Sequence, residues 1–183
     1  GMRNFDLAFF DLETTGLSFN ADIIEMAVIL ADHESLNIVE EWSTRVKPRD
    51  ISKADPAALA VNGYNEAEWA DALEIKPALE TFLQKTSNKV LVGHNLPMDW
   101  MWLNRALFEN KLLESMKFAS GQFYYQGFDT VSLAYSKLRN VAGIEKFSLE
   151  ELSQYFGIQR ARSHRAMDDA RATYELFVKL LNY

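Results

Sequence analysis

At 183 residues the chain is long enough for one compact domain with a sizeable core, and 48% hydrophobic and 13% aromatic residues exclude a disordered polypeptide. Cysteine is absent, which excludes disulfides and thiolate metal sites, and no apolar run is long enough for a membrane-spanning helix. The net charge of −7 argues against tight nonspecific binding to long duplex DNA; setting aside the four carboxylates discussed below leaves −3, which does not exclude a phosphate-containing substrate. Gly1 ahead of Met2 reads as a remnant of cloning, and the first residues lack a signal-peptide pattern, so the expectation is a cytoplasmic protein with no membrane association.

No linker, repeat or low-complexity tract divides the sequence, which predicts a single domain over 1–183. Residues 5–13 read as a first strand. Its alternate positions Phe5, Leu7 and Phe9 form one apolar face that continues into Asp11 and Glu13. Two like charges at the end of such a face are costly unless a cation lies between them. Gly16, Ser18 and Asn20 supply the turn into a mostly apolar strand over 23–30, so the two strands are expected to form an antiparallel hairpin. Within that strand Glu25 reads either as a group supporting a site or as an ion-paired structural acid. A third strand is predicted over 37–46, with His33 in the surface loop before it.

Around Pro77 a helix should begin with Leu79, Phe82 and Leu83 inward, followed by a short buried strand over 89–93. His94 in the next turn reads as structural. A helix over 97–112 carries Asp99 on the side of Trp102, Leu103 and Ala106, so this acid reads either as an N-terminal residue favoured by the helix dipole or as a buried functional group. Further helices are predicted over 129–139, 148–156 and 166–181, the last with Met167, Ala170, Tyr174, Phe177, Val178 and Leu181 as its apolar stripe. Asp169 shares a face with Ala172, Thr173 and Leu176, whereas Asp168 falls among Arg165, Arg171 and Glu175. Asp169 is therefore the candidate buried ligand and Asp168 an ordinary surface acid with local ion pairs. His164 lies in a basic stretch ahead of this helix and on its own reads as a helix-entry residue. Three hairpin-type strands followed by alternating helices and strands predict an α/β architecture, with helices covering a mixed sheet.

Taken together, Asp11, Glu13, Asp99 and Asp169 can converge at one end of that sheet. Mg²⁺ and Mn²⁺ prefer such oxygen donors, and paired ions in carboxylate-rich sites suit phosphodiester hydrolysis, with a histidine placed to take a proton from water.

Three segments resemble the DEDDh family of 3′–5′ exonucleases, of ribonuclease H-like fold: Phe10-Asp11-Leu12-Glu13-Thr14-Thr15-Gly16-Leu17, Val92-Gly93-His94-Asn95-Leu96-Pro97-Met98-Asp99, and His164 through Asp169 to Thr173. Asp22-Ile23-Ile24-Glu25, Phe128-Asp129-Thr130 and Ser148-Leu149-Glu150-Glu151-Leu152 extend the likeness over most of the chain. The resemblance implies a five-stranded mixed sheet with one antiparallel strand, flanked by helices. It implies Asp11, Glu13, Asp99 and Asp169 as ligands to two divalent cations, Mg²⁺ or Mn²⁺, and His164 as general base. The family's acid falls five positions after its histidine, which again selects Asp169. Thr14, Thr15, Gly16, Leu17, Met98 and Arg165 would contact the substrate, Leu17 as a wedge against the terminal base; Met98 stands where phenylalanine is common. Asp129 is expected to cap its helix. Lys146, Arg160, Arg162 and Arg165 read equally as guides for an anionic strand and as a solvated basic surface. The implied activity is release of nucleoside 5′-monophosphates from nucleic acid 3′ ends, with single-stranded or short substrates favoured by the acidic composition. DNA or RNA as substrate, a homodimer, a proofreading subunit dependent on a polymerase partner, and a catalytically silent nucleic-acid-binding module are all left open.

Overall fold

A computed structural model describes residues 1–113, 122–162 and 164–183. Strand β1 (Leu7–Thr14) alternates between two cores. Ala8, Phe10 and Leu12 enter one with Phe82, Leu103 and Leu107, whereas Leu7 and Phe9 enter the other with Ala170 and Phe177. Strand β2 (Ile23–Ala31) is buried throughout, as its nearly continuous apolar sequence requires, and β3 (Ile38–Arg45) is an exposed edge. β1 pairs antiparallel with β2, opposing Glu13 to Glu25, and β2 pairs antiparallel with β3. β4 (Val90–Gly93) and β5 (Gly127–Asp129) extend the other side in parallel, giving the order β3-β2-β1-β4-β5. β2 therefore runs against the other four. The fold is the expected α/β arrangement, a mixed five-stranded sheet with one antiparallel strand.

Helix α1 (Pro56–Asn62) has no counterpart among the predicted elements, although its signals are local: Asp55 caps it, Pro56 opens it and Gly63 closes it at φ +74°. Helix α2 (Ile75–Thr86) starts two residues ahead of Pro77, and α3 (Leu96–Glu109) ends sooner than predicted. Both line the core that contains Phe82 and Leu103. Residues 129–139 resolve into the end of β5 and α4 (Thr130–Leu138), with Asp129 accepting from Val131 N as the cap. Helix α5 (Leu149–Phe156) is capped by Ser148. Helix α6 (Ala166–Leu181) crosses the opposite sheet face under α4 and α5.

That double packing corrects the stripe predicted for α6. Ala166, Ala172, Thr173, Leu176 and Leu180 are also buried, whereas Leu181 is 46% exposed, because the helix buries one side on the sheet and another on its helical neighbours. No helix of the described residues is long and apolar enough to cross a membrane.

Candidate active site

The apolar face of β1 ends in acids, and the other two acids arrive at the same place from the first turns of α3 and α6. Asp11 is half-buried, and its carboxyl is held well above the usual range, first by desolvation and then by the charges of Glu13, Asp99 and Asp169. One of its oxygens, Oδ2, meets no hydrogen-bond donor among the described residues. Burial, and next the charge of Asp169, push Glu13 up to about 9. Asp99 is likewise raised by burial, although the Leu12 backbone N–H donates to it and opposes the shift. One ligand-capable atom from each of Glu13, His164 and Asp169 lies within 4.8 Å of the others. All five chemically suggestive residues are thus brought together.

His164 is exposed and sits at φ +64°, a conformation no spacing argument reveals. Its backbone N–H donates to Asp169 Oδ2 at 3.1 Å, while the Arg160 guanidinium bonds Oδ1. Its neighbour Ser163 lies outside the described residues. Glu25, directly opposite Glu13, resolves as an ion-paired acid beside the site. It accepts from Arg165 Nη2 at 2.7 Å and from the Ala166 backbone N–H at 2.6 Å, and so fixes the first turn of α6 and with it Asp169.

Several expected substrate contacts are engaged in building the site. Thr14 Oγ1 donates to Gly16 O at 2.6 Å and Thr15 Oγ1 accepts from Asp22 N at 2.8 Å, so both hydroxyls shape the turn. Leu17 beyond them is 78% exposed. Met98, one residue before Asp99, is half-buried against the core that contains Phe10. Arg165 pairs with Glu25 and Glu68 and lies over the Trp69 ring, so its guanidinium supports the fold. Arg160 is committed to Asp169; Lys146 and Arg162 remain exposed. The arginines expected to pair with Asp168 reach other acids instead, Arg171 bonding Glu41.

His94 uses both ring nitrogens, on Thr130 Oγ1 at 2.8 Å and the Phe147 carbonyl at 2.9 Å, and has the structural role expected of it. His33 occupies the loop after β2, paired with Asp6 at 2.8 Å. Sequence reasoning placed Asp22 in a motif but missed its role: it accepts from Arg49 N at 2.9 Å and from Arg49 Nε, tying the β1–β2 turn to the segment after β3. Sequence reasoning also missed the bonds by which Trp102 and Arg105 hold that turn, donating to Ser18 O and Phe19 O. These bonds leave a cavity of about 640 Å³ beside Thr15, Gly16 and Leu17, bordered by Asn20, Arg49, Lys53 and Asp55.

Residues 8–177 match the RNase T exonuclease family. The chain belongs to this exonuclease family. It is a DEDDh-type member with the ribonuclease H-like fold. The chain is 31% identical over 183 residues to a PolC-type DNA polymerase III of Thermotoga petrophila, covering 98% of this chain but 12% of that protein. To the DNA polymerase III epsilon subunit of Aquifex aeolicus it is 28% identical over 174 residues, which is 93% of this chain and 78% of the relative. Among solved structures, E. coli exonuclease I in complex with a dA16 oligonucleotide superposes with a TM-score of 0.78 at 22% identity, covering 97% of this chain and 41% of that one. That likeness shows the fold. The chain spans about an eighth of the PolC-type relatives, at 12% of their length.

The family depends on divalent metal ions. Four acids with three strongly raised proton affinities, plus a buried carboxylate oxygen without a donor among the described residues, suit a hard cation.

Proposed function

We propose that this chain is a single 3′–5′ exonuclease domain that hydrolyses the terminal phosphodiester of DNA or RNA and releases nucleoside 5′-monophosphates. The observation that carries the reading is the mutual proximity of Asp11, Glu13, Asp99 and Asp169 at the end of β1, each within the electric field of others. These four would hold two divalent cations, Mg²⁺ or Mn²⁺. When bound, such ions supply the Lewis acidity that phosphodiester hydrolysis needs. His164, exposed beside Glu13 and Asp169, takes the proton of the attacking water on its ring. The turn at Thr14, Thr15 and Gly16 and the protruding Leu17 receive the terminal nucleotide, whose base enters the adjoining cavity, and Met98 meets the nucleotide from the first turn of α3. Arg162 and Lys146 are free to meet the anionic strand, whereas Arg165 acts through Glu25.

Single-stranded or short substrates are favoured by the acidic chain and by the oligonucleotide held in the exonuclease I relative. A second reading is a proofreading module served by a polymerase partner, supported by the epsilon-subunit relative matching over 93% of this chain.

The test is a 5′-labelled DNA or RNA oligonucleotide incubated with Mg²⁺ or Mn²⁺, with Asp11→Ala as the control. A stepwise ladder from the wild type alone supports the enzyme; equal degradation by both, or by neither even with a polymerase added, overturns it.

A further inference from the structure

Arg160 sits on the connection between α5 and α6, four residues before His164, and its side chain is only 11% exposed. Its guanidinium bonds Oδ1 of Asp169, yet its own Nε is buried without a hydrogen-bond partner among the described residues. A buried donor left unmet weakens the docking of a charged group. Among the described residues, no Lys, Arg or His side chain forms an ion pair with Asp11, Glu13 or Asp99. Arg160 is therefore the one cationic side chain that the described structure ion-pairs to the four-acid cluster, and it is held there incompletely.

We propose that Arg160 is the resident counter-cation of this cluster and competes with a divalent cation for Asp169, so that metal binding drives the guanidinium off Oδ1. The inference rests on the reading of Asp169 as a metal ligand. The guanidinium neutralises the Asp169 carboxylate, and a divalent ion on the same carboxylate would meet it at contact distance. In a partly buried site that repulsion is not screened by water. The carboxylate can serve one cation or the other at full strength. Arg160 thus stabilises the metal-free chain and lowers its apparent affinity for metal, while His164 stays tied to Asp169 through its own N–H on Oδ2.

Calorimetric titration with Mn²⁺ alone separates this from a role in merely holding Asp169 in place. Arg160→Gln should bind Mn²⁺ about tenfold more tightly than wild type, a change of about 1.4 kcal/mol. Equal or weaker binding by the variant overturns the proposal while leaving the ligand reading intact. Absence of Mn²⁺ binding by the wild type removes both. Should the variant not fold, arginine labelling of the wild type with phenylglyoxal, mapped by mass spectrometry, tests the same displacement. Labelling of Arg160 should rise as Mg²⁺ saturates the protein, with the buried Arg105 as internal reference. Unchanged or reduced labelling of Arg160 overturns the proposal.

Discussion

Asp11 has unfavourable surroundings at the active end of the fold. It is a half-buried acid among three others, with one buried oxygen that no donor reaches among the described residues. Replacing it by asparagine removes a like charge while keeping the shape, so Asp11→Asn should abolish nuclease activity and raise the melting temperature measured in EDTA. For a chain of this size each 1 kcal/mol gained corresponds to about 2–4 °C. A lower melting temperature in EDTA would contradict the account of Asp11 as a site residue kept at the expense of stability. His164 is the reverse case: exposed, with its backbone rather than its ring holding Asp169. His164→Ala should therefore retain Mn²⁺ binding by calorimetry while turnover falls about 10²- to 10⁴-fold. Loss of metal binding in that variant would move the residue from proton transfer to coordination.

At the level of elements, the site depends on how the first turn of α6 is fastened to the sheet. Glu25 lies on β2 opposite Glu13, and its carboxylate accepts both the Ala166 N–H and the Arg165 guanidinium, with side chains only 8% and 15% exposed. Glu25→Ala would leave a buried arginine short of its main partner and the helix end without an acceptor. Breaking a buried pair in this way costs about 3–5 kcal/mol, and the remaining Glu68 contact at 3.8 Å puts the expectation at the lower end. Urea unfolding measures it directly, and a loss below about 1 kcal/mol would show that Arg165 re-pairs through solvent. The β1–β2 turn is fastened as firmly, by Asp22 to Arg49 and by Trp102 to Ser18 O, which is why Leu17 stands out on a rigid base.

For the molecule as a whole, these local energies emerge as a pH dependence. Glu13 titrates near 4.5 when unfolded but is pushed up to about 9 in the fold. Between those limits the metal-free folded chain holds a proton that the unfolded chain has released, so stability falls as pH rises from about 4.5 to about 9. His94 acts in the opposite sense. Burial lowers it from 6.5, so the unfolded chain takes up the proton first and stability is lost as pH falls below that value. Melting curves in EDTA should show both limbs. Mn²⁺ should suppress the alkaline limb alone, adding about 2.7 kcal/mol at a hundredfold excess over its Kd. An alkaline limb unaffected by Mn²⁺ would place the ion elsewhere than at Glu13.

What the amino-acid order determined by itself was local and periodic. Alternation along β1 identified a face that runs from Phe9 into Asp11 and Glu13, and the pitch of α6 separated buried Asp169 from Asp168. The resemblance of three motifs to a known family added the five-stranded mixed sheet and the exonuclease activity, and the fold and the family match bear out the sheet and the family. Tertiary structure alone decided the three-residue strand β5, too short to carry a period, and the width of the α6 apolar surface, which depends on two separate partners. It also decided which acid each arginine meets. Arg165 reaches Glu25 across 140 residues and Arg160 reaches the carboxylate of Asp169, although in sequence both read as strand guides or solvated basic surface, and Arg165 also as a neighbour of Asp168. The physical reason is range: a repeat of two or of 3.6 residues is written in neighbouring side chains, whereas the choice of a charged partner follows from which buried carboxylate the fold brings within reach.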